Sequence, residues 1–392
     1  MEQILYRYNP WWEADFELAG VYSRPSIFTT LVSTISTKDI IFLTGLRRVG
    51  KTTLLKFIIA HLIRNENIRP KNIFYISLDD YSLAKSSIID IIEEYRKAHK
   101  LKFSEKVYLF FDEITYKDDF ELQLKNLYDS QNVKVYASSS NSSILRSKKA
   151  FITGRQKIVE VLPLDFTEYL TFKEIKISKN DFHLYDKYFE DFLKTGGIPE
   201  YVLRGDIEYL KELVDDIIMK DISALFNIKN SFVLKDYFLL LMERAGKVFS
   251  INKIANVLGI TPDTAKRYLK YFQDTYLIHL LPRYGKTNEK ILSAKKIYAA
   301  DLGIRTLFTG FRDKGSLFEN YIYLKIKHKN PAYIYKDGNE IDFFTEGKSL
   351  IEVKYNSELT GKQKDLFDSF KAKEKYVIKS VRDLMNTNIL HS

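Results

Sequence analysis

Gly45-Leu46-Arg47-Arg48-Val49-Gly50-Lys51-Thr52 fits the phosphate-loop pattern G-x-x-x-x-G-K-[ST] at every fixed position. Residues of these types at this spacing hold phosphate. Gly45 and Gly50 permit the backbone turns that aim successive N–H groups at an anion, and a following helix adds its positive end. Lys51 reaches toward the β- and γ-phosphates of ATP or ADP, and Thr52 offers its hydroxyl to Mg²⁺. Arg47, Arg48, Val49 and Thr53 belong to the same nucleotide-binding loop.

A second chemical signal follows about sixty residues later. Residues 106–113 read KVYLFFDE, an apolar strand ending in two acids, the pattern of a Walker B segment. Asp112 is expected to support the magnesium shell and Glu113 to orient the attacking water. Residues 133–137 form another strand-like run that leads into Ser138-Ser139-Ser140-Asn141-Ser142-Ser143. A γ-phosphate sensor is expected there, Ser140 first and Ser138 as the alternative, although any one of these serines also suits a plain turn.

These residues need a scaffold. Residues 39–44 form a strand-length apolar run before the loop, and 52–62 read as a helix after it. From residue 26 to 158 helices and strands alternate, which predicts a parallel sheet with the nucleotide at the carboxyl ends of its strands. The arm before it carries both tryptophans, Trp11 and Trp12, placed to dock on a surface or near the nucleotide base.

The remaining length divides by pattern. With 392 residues and 45% hydrophobic content the chain can bury several cores. The expected domains are 1–160 (nucleotide-binding), 161–230 (helical lid), 231–300 (winged helix) and 301–392 (a terminal α/β domain). No apolar run is long enough to cross a bilayer, and a soluble cytoplasmic protein is expected. The absence of cysteine excludes disulfides and thiolate zinc sites.

The net charge of +10 suggests an anionic partner, and its distribution is uneven. Residues 235–296 hold 12 Lys and Arg against 5 Asp and Glu. Ser250 caps one helix, Gly259 turns the chain, and Thr261-Pro262 opens a second. On that second helix Ala265, Leu269, Phe272 and Tyr276 face inward and leave Lys266, Arg267, Lys270 and Gln273 outward. A winged helix-turn-helix follows, with residues 283–296 as a basic wing and Lys266, Arg267 and Lys270 toward DNA.

The last hundred residues suggest a second centre. Strand alternation puts Glu352 and Lys354 on one face, and the turn at 346–349 brings Asp342 beside them. With Glu319 from a helix, Asp342 and Glu352 make a plausible Mg²⁺ site for phosphodiester cleavage, and Lys354 supports a bound water or developing charge.

Taken together, GLRRVGKTT, FFDE, the serine-rich segment, TGRQKIVEVLPLDFTEYL, GGIPE and EIDFF with IEVKY resemble archaeal and bacterial ATPases of the AAA+/STAND type with a C-terminal DUF4143-type domain. The resemblance implies a restriction-endonuclease-like, PD-(D/E)xK terminal fold in which Glu319, Asp342, Glu352 and Lys354 match the nuclease core. It also implies a catalytic Arg155 at the family's Gly-Arg position and nucleotide contacts from Gly197 and Pro199. Where relatives have Gly-Ser after the sensor strand, this chain has Ser139-Ser140. The reading that results is a Mg²⁺-dependent ATPase acting on DNA, its nucleotide state gating the winged helix and a metal-dependent nuclease. The alternative is a STAND-like switch with an inactive nuclease-like domain that regulates a protein partner. A homo-oligomer would be needed for an arginine supplied in trans, for which Arg146 and Arg155 are candidates.

Overall fold

Five apolar runs of the N-terminal part form one parallel sheet: β1 Ile40–Thr44, β2 Ile73–Ser77, β3 Val107–Asp112, β4 Val133–Ser139 and β5 Gln156–Glu160. Their order in space is β2-β3-β4-β1-β5. Nearly every residue of β1 to β4 is buried, which explains why these strands read as continuous apolar runs and not as alternation. The phosphate-loop helix, Lys51–Arg64, buries Leu54, Leu55, Ile58, Ile59 and Leu62. In this computed structural model residues 1–18, 20–142, 154–228 and 230–387 are described. They fall into two compact units, Met1–Val161 and Leu162–Ser392.

The N-terminal arm covers the free edge of β2. Asn9 donates to Tyr75 O and accepts from Tyr75 N–H, and the indole N–H groups of Trp11 and Trp12 both donate to Ile73 O. An edge strand would otherwise present unpaired backbone groups. The tryptophans therefore dock on the sheet, and Trp12 also stacks on Tyr95.

The second unit begins with helices, among them Tyr185–Thr195 and Pro199–Arg204 on either side of Gly196-Gly197. Both glycines are required by close approach. A Cβ on Gly197 would overlap the backbone of Leu164, and one on Gly196, which has φ +75°, would overlap Gly303 N and the Asp301 carboxylate. Further along, Ser250 and Thr261 cap the helices Ile251–Leu258 and Pro262–Asp274, with Gly259 left-handed between them.

The hairpin that follows pairs β6 Ile278–Leu281 with β7 Lys296–Ala299. The basic stretch expected to form a wing contains a short helix, Thr287–Leu292. Its last residue does not face solvent: Lys296 lies on β7 and is 1% exposed. A second sheet, in the order β11-β10-β9-β8, is built from β8 Ala332–Lys336, β9 Asn339–Phe344, β10 Ser349–Val353 and β11 Glu374–Ile378. Strands β9 and β10 are antiparallel, β10 and β11 parallel, and the helices Lys314–Ile326 and Gly361–Ser369 belong to the same unit.

Candidate functional site

At the carboxyl end of β1 the chain turns through the phosphate loop into its helix. Gly45 has φ +145° and no room for a side chain, because a Cβ would overlap Val161 O. Gly50 and Arg48 also have positive φ, so the loop's N–H groups turn away from ordinary helical or extended directions. The Lys51 ammonium lies along the loop and donates to Gly45 O at 3.0 Å and Leu46 O at 2.9 Å. Arg24, not singled out from the sequence, donates to Val49 O at 3.2 Å. Thr53 follows on the first turn of the helix and is half-buried.

Strand β4 lies between β1 and β3, so the serines at its end meet the acids at the end of β3. Thr52 donates to Asp112 Oδ2 at 2.6 Å, and Tyr75 from β2 donates to the same oxygen at 2.9 Å. Ser138 donates to Asp112 Oδ1 and accepts the Glu113 N–H. Ser140 donates to both oxygens of Glu113 at 3.0 Å. The two sensor alternatives thus donate to different carboxylates. Glu113 is held at φ +49°, a left-handed conformation that glutamate rarely adopts, and this turn aims its carboxylate at Ser140. Burial pushes the Glu113 carboxyl above its ordinary value, against the opposing charge of Lys51.

This arrangement suits a nucleotide with its cation. The loop passes through positive φ at Gly45, Arg48 and Gly50, and a hydroxyl and a carboxylate, hard oxygen donors, stand together at its end. Glu113 follows Asp112 directly, and its carboxylate feels the charges of both Lys51 and Asp112.

Other expected site residues lie elsewhere. Arg155 immediately precedes β5, its carbonyl accepting from Ile40 N–H, whereas the phosphate loop leaves β1 at Thr44. That separation is about 15 Å along the strands. Its guanidinium pairs with Asp129 at 3.4 Å and stands over Tyr128. The structure does not bring Arg155 to the phosphate loop of its own chain. Arg146 and Ser143 lie outside the described residues. Gly197 donates its N–H to Asp301 Oδ2 at 2.6 Å, and Pro199 opens the helix Pro199–Arg204. Both belong to the packing of the second unit.

The second centre gathers the expected acids around a residue that sequence reasoning missed. Antiparallel β9 and β10 set Asp342 beside Glu352: Asp342 N–H donates to Glu352 Oε2 at 3.2 Å, and Val353 N–H to Asp342 Oδ2 at 2.9 Å. Lys354 pairs with Glu352 Oε1 at 3.0 Å. From β7, the Lys296 ammonium contacts Glu319 Oε1 at 2.7 Å, Glu340 Oε1 at 2.7 Å and Asp342 Oδ1 at 3.3 Å. Tyr298 donates to Glu319 at 2.6 Å and Gln363 to Glu352 at 2.7 Å. Burial by itself would lower the Lys296 pKa, yet the surrounding charges, Glu319 foremost, hold it well above the ordinary lysine value. Burial, then the charge of Asp342, pushes the Glu319 and Glu352 carboxyls up. The available signal was the alternation of Lys296 and Tyr298 on a short strand, which puts both on one face.

Comparison with known proteins agrees with the two-part architecture. A family model described as an AAA domain matches residues 37–170, and one described as a domain of unknown function, DUF8612, matches 186–315. Uncharacterized protein MJ1544 of Methanocaldococcus jannaschii is 31% identical over 368 residues, 88% of this chain and 79% of that protein. The chain belongs to the MJ1544 family. A Haemophilus influenzae protein of this kind is 24% identical over 340 residues, 83% of this chain and 84% of its own length. In this member of the MJ1544 family the first unit is an ATP-hydrolysing P-loop NTPase domain of the AAA+ kind, followed by a distinct C-terminal part. The segments EIDFF and IEVKY lie beyond the span that DUF8612 matches. Among solved structures, the Walker-type ATPase PABY2304 of Pyrococcus abyssi aligns at TM-score 0.46 and 17% identity, covering 74% of this chain and 96% of that one.

Proposed function

We propose that this protein is a Mg²⁺-dependent ATPase whose nucleotide state controls how its second unit engages DNA. The observation that carries the DNA part is the helix Pro262–Asp274. It buries Ala265, Leu269 and Phe272 and leaves Lys266, Arg267 and Lys270 exposed in a row. Pairing is slight on that face, since Lys266 lies 3.7 Å from Asp263 and Arg267 only reaches Thr264. Of the 12 basic residues between 235 and 296, Lys296 alone is buried, so the local excess remains available to an anionic partner. With the preceding helix and the β6–β7 hairpin, this supports a winged-helix reading in which the exposed helix enters a groove.

In the first unit Thr52 and Asp112 would hold the magnesium ion and Lys51 the phosphates, while Glu113 orients water. The second sheet, with Asp342 on β9, Glu352 on β10, Lys354 just past the end of β10 and Glu319 on a helix, supports a restriction-endonuclease-like reading of the fold. It does not support cleavage, because the Lys296 ammonium pairs with Glu319, Glu340 and Asp342. That same observation favours the second reading, a nucleotide switch with an inactive nuclease-like domain acting on a protein partner. DNA binding separates the two. Under the first reading affinity falls steeply with salt, and Arg267→Ala with Lys270→Ala weakens it; DNA affinity that ignores both substitutions rejects the helix as a DNA element.

A further inference from the structure

A nuclease of the kind that the terminal sheet suggests would need its carboxylates free to hold a divalent ion, and here they are already committed. Asp342 Oδ1 faces Lys296, and its Oδ2 accepts the Val353 N–H. Glu352 Oε1 takes Lys354 and Gln363, and its Oε2 takes the Asp342 N–H. Glu319 Oε1 takes both Lys296 and Tyr298. A magnesium or calcium ion needs several oxygens at about 2.0–2.6 Å, and the Lys296 ammonium fills the space where Glu319, Glu340 and Asp342 converge. Among the described residues no three His, Cys, Asp or Glu side chains are grouped so as to hold a metal ion. The residues present therefore do not fit the metal that the fold resemblance implies.

We propose that Lys296 is the resident cation of this centre: its ammonium replaces the divalent ion, so the second unit closes without metal and cuts no phosphodiester. The cluster instead ties three elements together. Lys296 comes from β7, Glu319 from the helix Lys314–Ile326, and Glu340 and Asp342 from β9. The hairpin and the terminal sheet are thereby joined through buried charge, where removing one partner is strongly destabilising. Neither this assignment nor its test depends on whether the second unit binds DNA.

The test is Mn²⁺ uptake by the full-length, nucleotide-free chain, followed by the loss of the free-ion EPR signal, in a Thr52→Ala background that silences the first unit's cation position. The expected result is no saturable uptake that Asp342→Asn removes; any uptake indifferent to Asp342→Asn lies elsewhere and agrees with the proposal. Adding Lys296→Met should create an Asp342-dependent site at least tenfold tighter than the background. Saturable uptake with Lys296 intact that Asp342→Asn abolishes overturns the proposal, as does a folded Lys296→Met protein with no uptake. If Lys296→Met fails to fold, the comparison with Lys296 present decides alone. Asp342-dependent, Mn²⁺-dependent nicking of supercoiled DNA by the wild-type chain would also overturn it.

Discussion

At the scale of single residues, the roles follow from what each side chain touches. Lys51 lies along the loop and donates to two of its carbonyls, and its proposed role is to turn that ammonium to phosphate. Lys51→Ala is expected to lower ATP turnover by about a hundredfold or more, measured as phosphate release at saturating ATP; full activity would reject the site. Gly197 illustrates a different constraint. With a Cβ overlapping the Leu164 backbone, Gly197→Ala must displace main chain and is expected to cost about 3 kcal/mol, read from urea midpoints. Its partner Asp301 is buried, caps the helix Leu302–Thr309, and has its carboxyl pushed up to about 6 by that burial. An unfolded aspartate releases its proton near 3.9, so between that pH and about 6 the folded chain holds the extra proton. Stability therefore falls as pH rises through this window. Asp301→Asn cannot ionise, and its stability relative to the wild-type chain should rise by about 3 kcal/mol from about pH 4 to about pH 7. A pH-independent difference would show that Asp301 does not titrate in this range.

At the scale of elements, the position of β4 decides what the nucleotide site can be. Because it lies between the loop strand and the acid-bearing strand, Ser138 and Ser140 stand against Asp112 and Glu113. Removing the Ser140 hydroxyl leaves the Glu113 carboxylate without that donor, and Ser140→Ala should alter turnover more than nucleotide affinity if Glu113 acts on water. Equal changes in both would assign Ser140 to binding. In the second unit the helix Pro262–Asp274 shows a clean division of faces, buried apolar against exposed basic. Arg267→Ala and Lys270→Ala together should flatten the dependence of log affinity on log salt by about 2 if both residues meet phosphate. An unchanged slope would mean that any bound DNA lies elsewhere.

At the scale of the whole molecule, the proposed function couples two binding events. If ATP changes DNA affinity by some factor, DNA must change ATP affinity by the same factor. The expected coupling is about 5- to 150-fold, measured with a non-hydrolysable ATP analogue, and it should vanish in Lys51→Ala. Identical DNA affinity with and without the analogue would leave ATP turnover serving some other partner. Joined at Lys296, the β6–β7 hairpin and the terminal sheet should respond to nucleotide together and not as separate domains.

Some of this was written locally in the chain. The phosphate loop lies within eight consecutive residues, its glycines and lysine acting through the backbone they share, so pattern alone located it. Helix caps at Ser250 and Thr261 and the turn that sets Asp342 beside Glu352 were legible for the same reason: each involves neighbours within one turn or one hairpin. What depends on distant segments was not. Only the sheet order brought β4 serines to β3 acids and put Arg155 at the far end of β5, and only folding buried Lys296 among Glu319, Glu340 and Asp342. In sequence that lysine is one more basic residue in a basic stretch. Spacing along a chain determines which groups can act together locally, whereas the burial that pairs a charge across 46 positions, as Lys296 with Asp342, exists only once the core has closed around both.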